Sequence, residues 1–426
     1  RLLADGGIAA SFSIKILHGR AIMWYNTSMV TTQRTFTILL PDDPDLRATL
    51  DAFQQVQQQV SAVAFNDGRP LLAVPLQRAC YHQVKGVLNS QMTITALRLV
   101  AGAYASAKRN NRPAQRPFAF NRRAAMFLVG VRGRDADFRK DGTLSIWTVA
   151  GRRRISYQVP EAFQGRLEAA QEIDSVTVIE REGCLLGRVV VTVEYPDPKG
   201  VHPIGIDLNE TNALVAVNPE GEPLFISGLR TKVANKRSFK TRKRLQSKLA
   251  SRKAERRDTR SVRRLLKRLG RQRSNRTKTF AQTAAKRLCQ WASPDSVLVF
   301  EALKMPQPRK GAMRGRALRR RLSGWQYGLI RRYAEGKAQE FGLAVAEVNP
   351  AYTSELCSRC GLLGKRRRHD FSCLSCGFSL HADLNAAVNI RNRYTVFRNG
   401  GPLSTGPEAL GDSSPEGKPP ALAGGS

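Results

Sequence analysis

Acidic side chains are scarce. Among 426 residues there are 34 Asp and Glu against 70 Lys and Arg, a formal net charge of +36. That imbalance exceeds what solubility needs and points to a polyanionic partner. No hydrophobic run reaches the roughly 20 residues needed to cross a bilayer, so nucleic acid is favoured over a membrane. Residues 1–28 lack the basic start and continuous apolar core of a secretory signal. They are expected to be a non-native or disordered extension, with Met29 at the head of the first strand-like run. No internal repeat is visible, so the chain does not read as a repeat array. Its seven cysteines are an odd number, with Cys80, Cys184 and Cys289 scattered, which argues against a disulfide framework and for a reducing compartment. A cytoplasmic, nucleoid-associated place in a prokaryotic cell is expected; monomer and dimer remain equally open.

The other four cysteines organise the chain. Cys357, Cys360, Cys373 and Cys376 form two C-x-x-C pairs around a short basic connector, followed by GFSLHADLNAAVNI. Such spacing predicts a closed tetrahedral Zn²⁺ site, one structural ion with no position open to water. His369 could replace a thiolate, but four cysteines suffice, so it reads as a solvent-facing loop residue. His202 and His381 also lie near the candidate sites; for His381 an ordinary structural role is the favoured reading, with support of the nearby acid from outside the metal as the alternative.

At this length two or three cores are expected. RTFTILL at Arg34–Leu40 reads as a strand. A helix follows, with Asp43 as N-cap, Pro44 in the first turn, and Leu46, Leu50, Phe53, Val56, Val60 and Val63 on one face. A second helix is predicted over Ser90–Lys108. Strands follow at Met126–Val131, Leu144–Val149 and Arg154–Val159, then a hairpin of Ser175–Arg181 with Leu185–Tyr195. Residues 29–195 therefore read as a barrel-like β domain with a helical insertion.

After the linker PDPKG, IGIDL at Ile204–Leu208 puts its aliphatic residues on one strand face and Asp207 on the other. Short strands at Ala213–Asn218 and Leu224–Ser227 continue the pattern. Residues 230–278 then hold 22 Lys or Arg, with periodic leucines that predict a helical hairpin over 230–290. Like charges this dense repel unless phosphates neutralise them. Lys243, Arg244, Arg252, Lys253, Arg256, Arg257, Arg263, Arg264, Lys267 and Arg268 are the candidate nucleic-acid contacts, sequence-independent and salt-sensitive. SVLVF at Ser296–Phe300 is a strand ending at Glu301, and the basic, glycine-containing stretch Lys304–Arg321 is expected to be a mobile loop. A helix over Trp325–Phe341, a strand over Leu343–Val348, the cysteine module at 349–380 and a last helix at 381–398 complete the fold, before a tail at 399–426 expected to be disordered.

That order, three strands, helical insertion, strand, helix, strand, insertion and helix, is a ribonuclease H-like core over 201–348 and 381–398. It sets Asp207 on the first strand, Glu301 at the end of the fourth and Asp383 at the start of the last helix. Alone, Asp207 could cap a turn, Glu301 could pair with an arginine and Asp383 could be an N-cap. Together they predict a site for two Mg²⁺ or Mn²⁺ ions held roughly 4 Å apart, since converging acids cannot all ionise without cations between them.

Four stretches resemble the transposon-encoded TnpB (OrfB) nucleases, relatives of the type V CRISPR effectors. They are GIDLN at Gly205–Asn209, VFEALK at Val299–Lys304, PAYTSELCSRCG at Pro350–Gly361 and CLSCGFSLHADLNAAVNI at Cys373–Ile390. The resemblance implies an Mg-dependent, RNA-guided DNA endonuclease whose partners are a guide RNA and target DNA. It implies that Asp207, Glu301 and Asp383 are a RuvC-type triad, that the cysteine module is a target-nucleic-acid-binding zinc ribbon, and that 29–195 holds wedge and recognition parts. Asn209 stands where many relatives carry Gly, and Ala302 where an acid or amide often follows the glutamate. A nuclease-silent guided DNA-binding protein, or an unguided ribonuclease H-like nuclease or transposase, is the alternative.

Overall fold

A computed structural model describes residues 12–17, 20–25, 29–66, 69–121, 123–130, 135–303 and 327–399. It divides into two compact units, Met29–Tyr195 and the remainder. The basic stretch at 304–321, the start of the helix predicted from Trp325, and the tail from residue 400 lie outside the described residues. Within the N-terminal extension, β1 (Phe12–Leu17) and β2 (Arg20–Tyr25) pair antiparallel, where no regular structure was expected.

In the first unit, β3 (Met29–Leu40) alternates so that Phe36, Ile38 and Leu40 are buried. Asp43 caps α1 (Pro44–Phe65), its carboxylate accepting from the Leu46 N–H at 2.8 Å. The stripe Leu46, Leu50, Phe53, Val56 and Val60 is fully buried, each side chain stabilising the unit by about 1.5–3 kcal/mol. Next comes α2 (Ala73–Val84), which sequence reading missed: its N-cap, Leu72, offers no side-chain acceptor, although Leu76, Cys80 and Val84 form a buried i, i+4, i+8 stripe. Asn89 caps α3 (Ser90–Arg109), accepting from Met92 N–H at 2.7 Å.

The strands β4 (Ala124–Leu128), β5 (Ala136–Phe138), β6 (Thr143–Thr148), β7 (Gly151–Ser156), β8 (Glu172–Arg181) and β9 (Cys184–Pro196) follow, with α4 (Glu161–Glu168) between β7 and β8. The β8–β9 turn holds Glu182 and Gly183 at φ 55° and 86°, the left-handed pair that a tight hairpin requires. Pairing gives a four-stranded sheet, β3-β9-β8-β4, and a three-stranded sheet, β5-β6-β7, joined by one bridge between Leu39 and Gln158. The two sheets share one core with α1–α3, the helical insertion expected from the sequence.

The second unit has a five-stranded sheet of β10 (His202–Asp207), β11 (Asn212–Val217), β12 (Pro223–Ser227), β13 (Ser296–Glu301) and β14 (Ala344–Val348), in the order β12-β11-β10-β13-β14. β10–β11 and β11–β12 run antiparallel, β10–β13 and β13–β14 parallel. Parallel neighbours need a crossover. Between β12 and β13 it comprises α5 (Leu229–Ala254) and α6 (Arg260–Trp291), and α7 (Tyr327–Ala338) precedes β14. The end of α6 and α7 cover one face, with Ala284, Leu288, Ile330 and Ala334 against Ile204, Ile206 and Phe300. The cysteine module contributes β15 (Gly364–Arg367), β16 (Asp370–Cys373) and β17 (Ser379–His381), and α8 (Ala382–Arg398) covers the other face. This is the order read from the sequence, with the expected hairpin at α5 and α6.

Candidate metal centres

Asp207 ends β10 on the α8 side: Val215, its partner across the β10–β11 pair, packs with Ala387 of α8. On β13, Val297 and Val299 pack with Ile390 of α8, and Glu301 continues that alternation at the strand end. Asp383 lies in the first turn of α8 and is 1% exposed. The helix approaches β10 very closely. A Cβ on Gly205 would stand 2.0 Å from the Ala387 carbonyl oxygen and 2.6 Å from Arg391 N, so only glycine admits the helix here.

The three acids share one electrostatic neighbourhood. Burial pushes Asp207 well above the usual carboxylate range, and the charges of Glu301 and Asp383 push it further, against Arg366 and the Leu208 N–H. Burial also raises Glu301, opposed by the Thr353 hydroxyl and by Arg393 and Arg366. Partners fix the oxygens: Asn209 Nδ2 donates to Asp207 Oδ2 at 2.6 Å, and Asn212 Nδ2 to Asp383 Oδ2 at 2.9 Å. Arg366 Nη2 pairs with Asp383 Oδ1 at 2.6 Å, and the Thr353 hydroxyl donates to Glu301 Oε1. Hard carboxylate oxygens on a buried sheet edge are a donor set suited to Mg²⁺ or Mn²⁺, which would favour the charged forms that burial opposes.

His369 is an exposed turn residue, as expected, and has a further neighbour. It is half exposed, yet its Nδ1 is 4.0 Å from Asp383 Oδ2 and its ring stacks on His381 at 5.5 Å. The β15–β16 turn folds it back toward α8. His381 accepts from the Asp383 N–H at Nδ1, 3.2 Å away, and its ring meets Phe225 edge-on. His202 is exposed on β10. Asn212, Thr353 and Arg366 were missed by sequence reading. Arg366 is hidden in the run KRRR, and only the β15–β16 register singles it out.

The four cysteines converge, with all four sulfurs within 4.8 Å of one another. Cys357 and Cys376 Sγ are 3.8 Å apart, Cys360 and Cys373 Sγ 3.5 Å. A tetrahedral ion with Zn–S bonds of about 2.3 Å needs sulfurs roughly 3.8 Å apart, so the set fits zinc. Backbone N–H groups of Cys376 and Ser375 bring the Cys373 thiol down to about 6. Cys360 goes up to about 12: the Leu362 N–H lowers it, but desolvation and the neighbouring thiols outweigh that pull.

Of the ten candidate basic contacts, nine are exposed on α5, α6 and their connection. Arg252 is half-buried and closes that turn, donating to the Asp258 carbonyl at 3.1 Å and to Ser261 Oγ at 3.2 Å. Arg257 pairs with Glu255 at 3.1 Å. Among the described residues, no helix is long and apolar enough to cross a membrane.

A family model described as Cas12f1-like, TNB domain, matches residues 327–390. A TnpB-like protein of Aquifex aeolicus (strain VF5) is 35% identical over 111 residues, 25% of this chain and 36% of that one. The CRISPR-associated endodeoxyribonuclease Cas12f1 of Sulfoacidibacillus thermotolerans is 39% identical over 72 residues, 16% of this chain and 17% of that one. The matched segments thus span only a minor part of these two relatives. A Methanocaldococcus jannaschii protein, named as a candidate transposase, is 35% identical over 94 residues, which are 20% of this chain and 86% of that protein. The solved structure of the mini-RNA-guided endonuclease CRISPR-Cas phi3 aligns over 88% of this chain and 94% of its own at 13% identity and a TM-score of 0.45. The family model covers the segment that holds the cysteines and Asp383, and the chain belongs to the TnpB-like family, related to the type V effectors.

Proposed function

We propose that this protein is an RNA-guided DNA endonuclease of transposon origin, with Asp207, Glu301 and Asp383 as its metal-holding catalytic acids. The observation that carries the reading is the buried Asp207, whose charge is opposed by two further acids at the same sheet edge. A structural carboxylate would be paired with a base; this one is set among like charges, as a cation-holding group is. The relative named an endodeoxyribonuclease supplies the substrate class, DNA, and the resemblance to TnpB supplies the guide RNA.

In this reading the three acids hold two Mg²⁺ or Mn²⁺ ions. When bound, such a pair supplies a water of lowered pKa and charge to stabilise the leaving 3′ oxygen. Asn209 and Asn212 each hold one carboxylate oxygen, fixing which lone pairs face the site. Arg366 offsets the Asp383 charge. The exposed bases of α5 and α6 hold phosphates of the guide or target, and base pairing reads the sequence, a division of labour described for another effector class. The four cysteines hold one structural Zn²⁺ and shape the module that presents Arg366 and His369 to Asp383. A cytoplasmic, nucleoid-associated location accompanies this function.

The test is purification of the protein with co-expressed RNA, sequencing of the bound RNA, and cleavage of matched DNA in Mg²⁺. One specific RNA should survive a high-salt wash, and Asp207→Ala should reduce cutting to background. Cutting by the Asp207→Ala protein defeats the site assignment. Retained RNA without cutting by the unaltered protein indicates a guided binding protein, and cutting without RNA an unguided nuclease.

A further inference from the structure

The segment between β14 and the first cysteine contacts both Glu301 and the helix that carries Asp383. Its anchor is a single stripe of α8. Asn385, Asn389 and Arg393 stand at i, i+4 and i+8, on one helix face. Asn385 Nδ2 donates to the Leu356 carbonyl at 2.7 Å, and its Oδ1 accepts from the Ser358 N–H at 2.9 Å. Asn389 Nδ2 donates to the carbonyls of Thr353 at 2.9 Å and Leu356 at 2.7 Å. Arg393 Nη1 donates to the carbonyls of Asn349 at 2.5 Å and Ala351 at 2.7 Å.

These bonds hold the segment in a conformation it would not choose alone. Tyr352 sits at φ 60°, a left-handed backbone that is costly for a residue with an aromatic side chain. Strain of this kind persists only where neighbouring contacts over-determine it. The next residue, Thr353, is 2% exposed, and its hydroxyl donates to Glu301 Oε1 while lying 3.1 Å from the Pro350 carbonyl. Four residues further on, Cys357 opens the cysteine cluster. The chain thus runs from the Glu301 carboxylate, along the α8 stripe, to the first thiol.

We propose that Thr353 is a positioning residue that orients the Glu301 carboxylate for cation binding, held in place by Asn389 and Asn385 of the helix that bears Asp383. The inference rests on the functional reading of Glu301 as a metal-holding acid. It adds that Glu301 is aimed by the module that follows it in the chain as well as by its own strand. A hydroxyl fixed at both its backbone and its neighbours selects one carboxylate orientation, and groups that orient ligands in this way commonly set metal affinity by 10- to 100-fold.

The experiment uses the full chain loaded with zinc, with Mn²⁺ binding followed by the loss of the free-ion electron paramagnetic resonance signal. Thr353→Val keeps the shape and removes the donor; Thr353→Ser keeps the donor. The valine variant should bind Mn²⁺ about tenfold more weakly, with zinc content and melting temperature unchanged, and serine should restore affinity. Asn389→Ala should weaken binding in the same direction with Thr353 itself intact. Unchanged Mn²⁺ affinity in Thr353→Val, alongside weakened binding in Glu301→Gln, overturns this proposal and leaves the functional reading standing. Unchanged affinity in Glu301→Gln removes the carboxylate site itself, and both fall. A Thr353→Val protein that loses zinc or melts early, with Thr353→Ser binding no better, assigns Thr353 to packing and also overturns it.

Discussion

The acid cluster and the cysteine cluster meet on the same stretch of chain yet are built in opposite ways. The cysteines all fall within residues 357–376, on two tight knuckles and a hairpin, so short-range turns do most of the work of bringing them together. The acids come from β10, β13 and α8, and only the sheet order and the close approach at Gly205 unite them. Their electrostatics differ as well. Backbone N–H groups favour the Cys373 thiolate, whereas burial and like charge disfavour ionised Asp207. One centre is ready to form wherever its hairpin forms; the other exists only once the whole unit has folded. The lesson is that the legibility of a candidate metal site follows the sequence separation of its donor residues.

The comparison breaks most sharply if the cysteine cluster can be removed without harm to the acids. Replacing Cys357 and Cys360 by serine should release the zinc, on the order of one ion per chain, and abolish DNA cutting, although no acid has changed. Arg366, Thr353 and His369 all reach the acids from the cysteine module, so its loss should undo their contacts. Cutting at the normal rate by a zinc-free double variant would show that the two centres are independent.

A smaller effect sharpens the electrostatic contrast. Asp207 and Glu301 are both raised in the folded protein, so the fold retains protons that the unfolded chain releases. The metal-free protein should therefore be most stable near or below the usual carboxylate pKa, and lose stability as pH rises toward the raised values. Its melting temperature should fall as pH rises above the usual carboxylate range, and millimolar Mg²⁺ should recover it more at the higher pH. Asp207→Asn should flatten both trends. A metal-free melting temperature that rises with pH there would contradict the assigned sign.

The smallest expected change lies far from either cluster. Substituting Lys267 and Arg268 by glutamine should weaken nucleic-acid binding equally for all sequences. If each contacts one phosphate, the slope of log affinity against log salt should fall by about 0.9 per residue for duplex DNA. Arg252 should behave otherwise, because it closes the α5–α6 turn: its loss should lower the melting temperature of the hairpin more than it alters the salt slope. Equal salt slopes for all three variants would erase that distinction.

Much of the architecture was open to sequence reading where signals are local. The cap at Asp43, the apolar stripe of α1 and the Glu182-Gly183 turn each specify their element without outside help. By contrast, α2 has no capping side chain, and its buried face is visible only against α1 and α3. How the strands of the first unit close was not legible for a related reason. Strand positions follow from alternation, but whether strands close on themselves or yield to packed helices depends on the volume between them.

At the candidate site, the four cysteines singled out by their paired C-x-x-C spacing do converge, and Asp207, singled out with Glu301 and Asp383, feels the charge of both. Their neighbours were not singled out. Thr353, Asn212 and Arg366 are common residues in unremarked surroundings, and their roles arise from partners 17 to 171 residues away along the chain. His369 reads as an ordinary loop residue until the hairpin returns it to Asp383. The sequence by itself determined the charge, the strand and helix order and the donor atoms, since these follow from composition, periodicity and side-chain chemistry. Tertiary structure decided which oxygens are held, by which amide or hydroxyl, and how strongly burial opposes their charge, because those depend on distances that only the packed sheet and helix set.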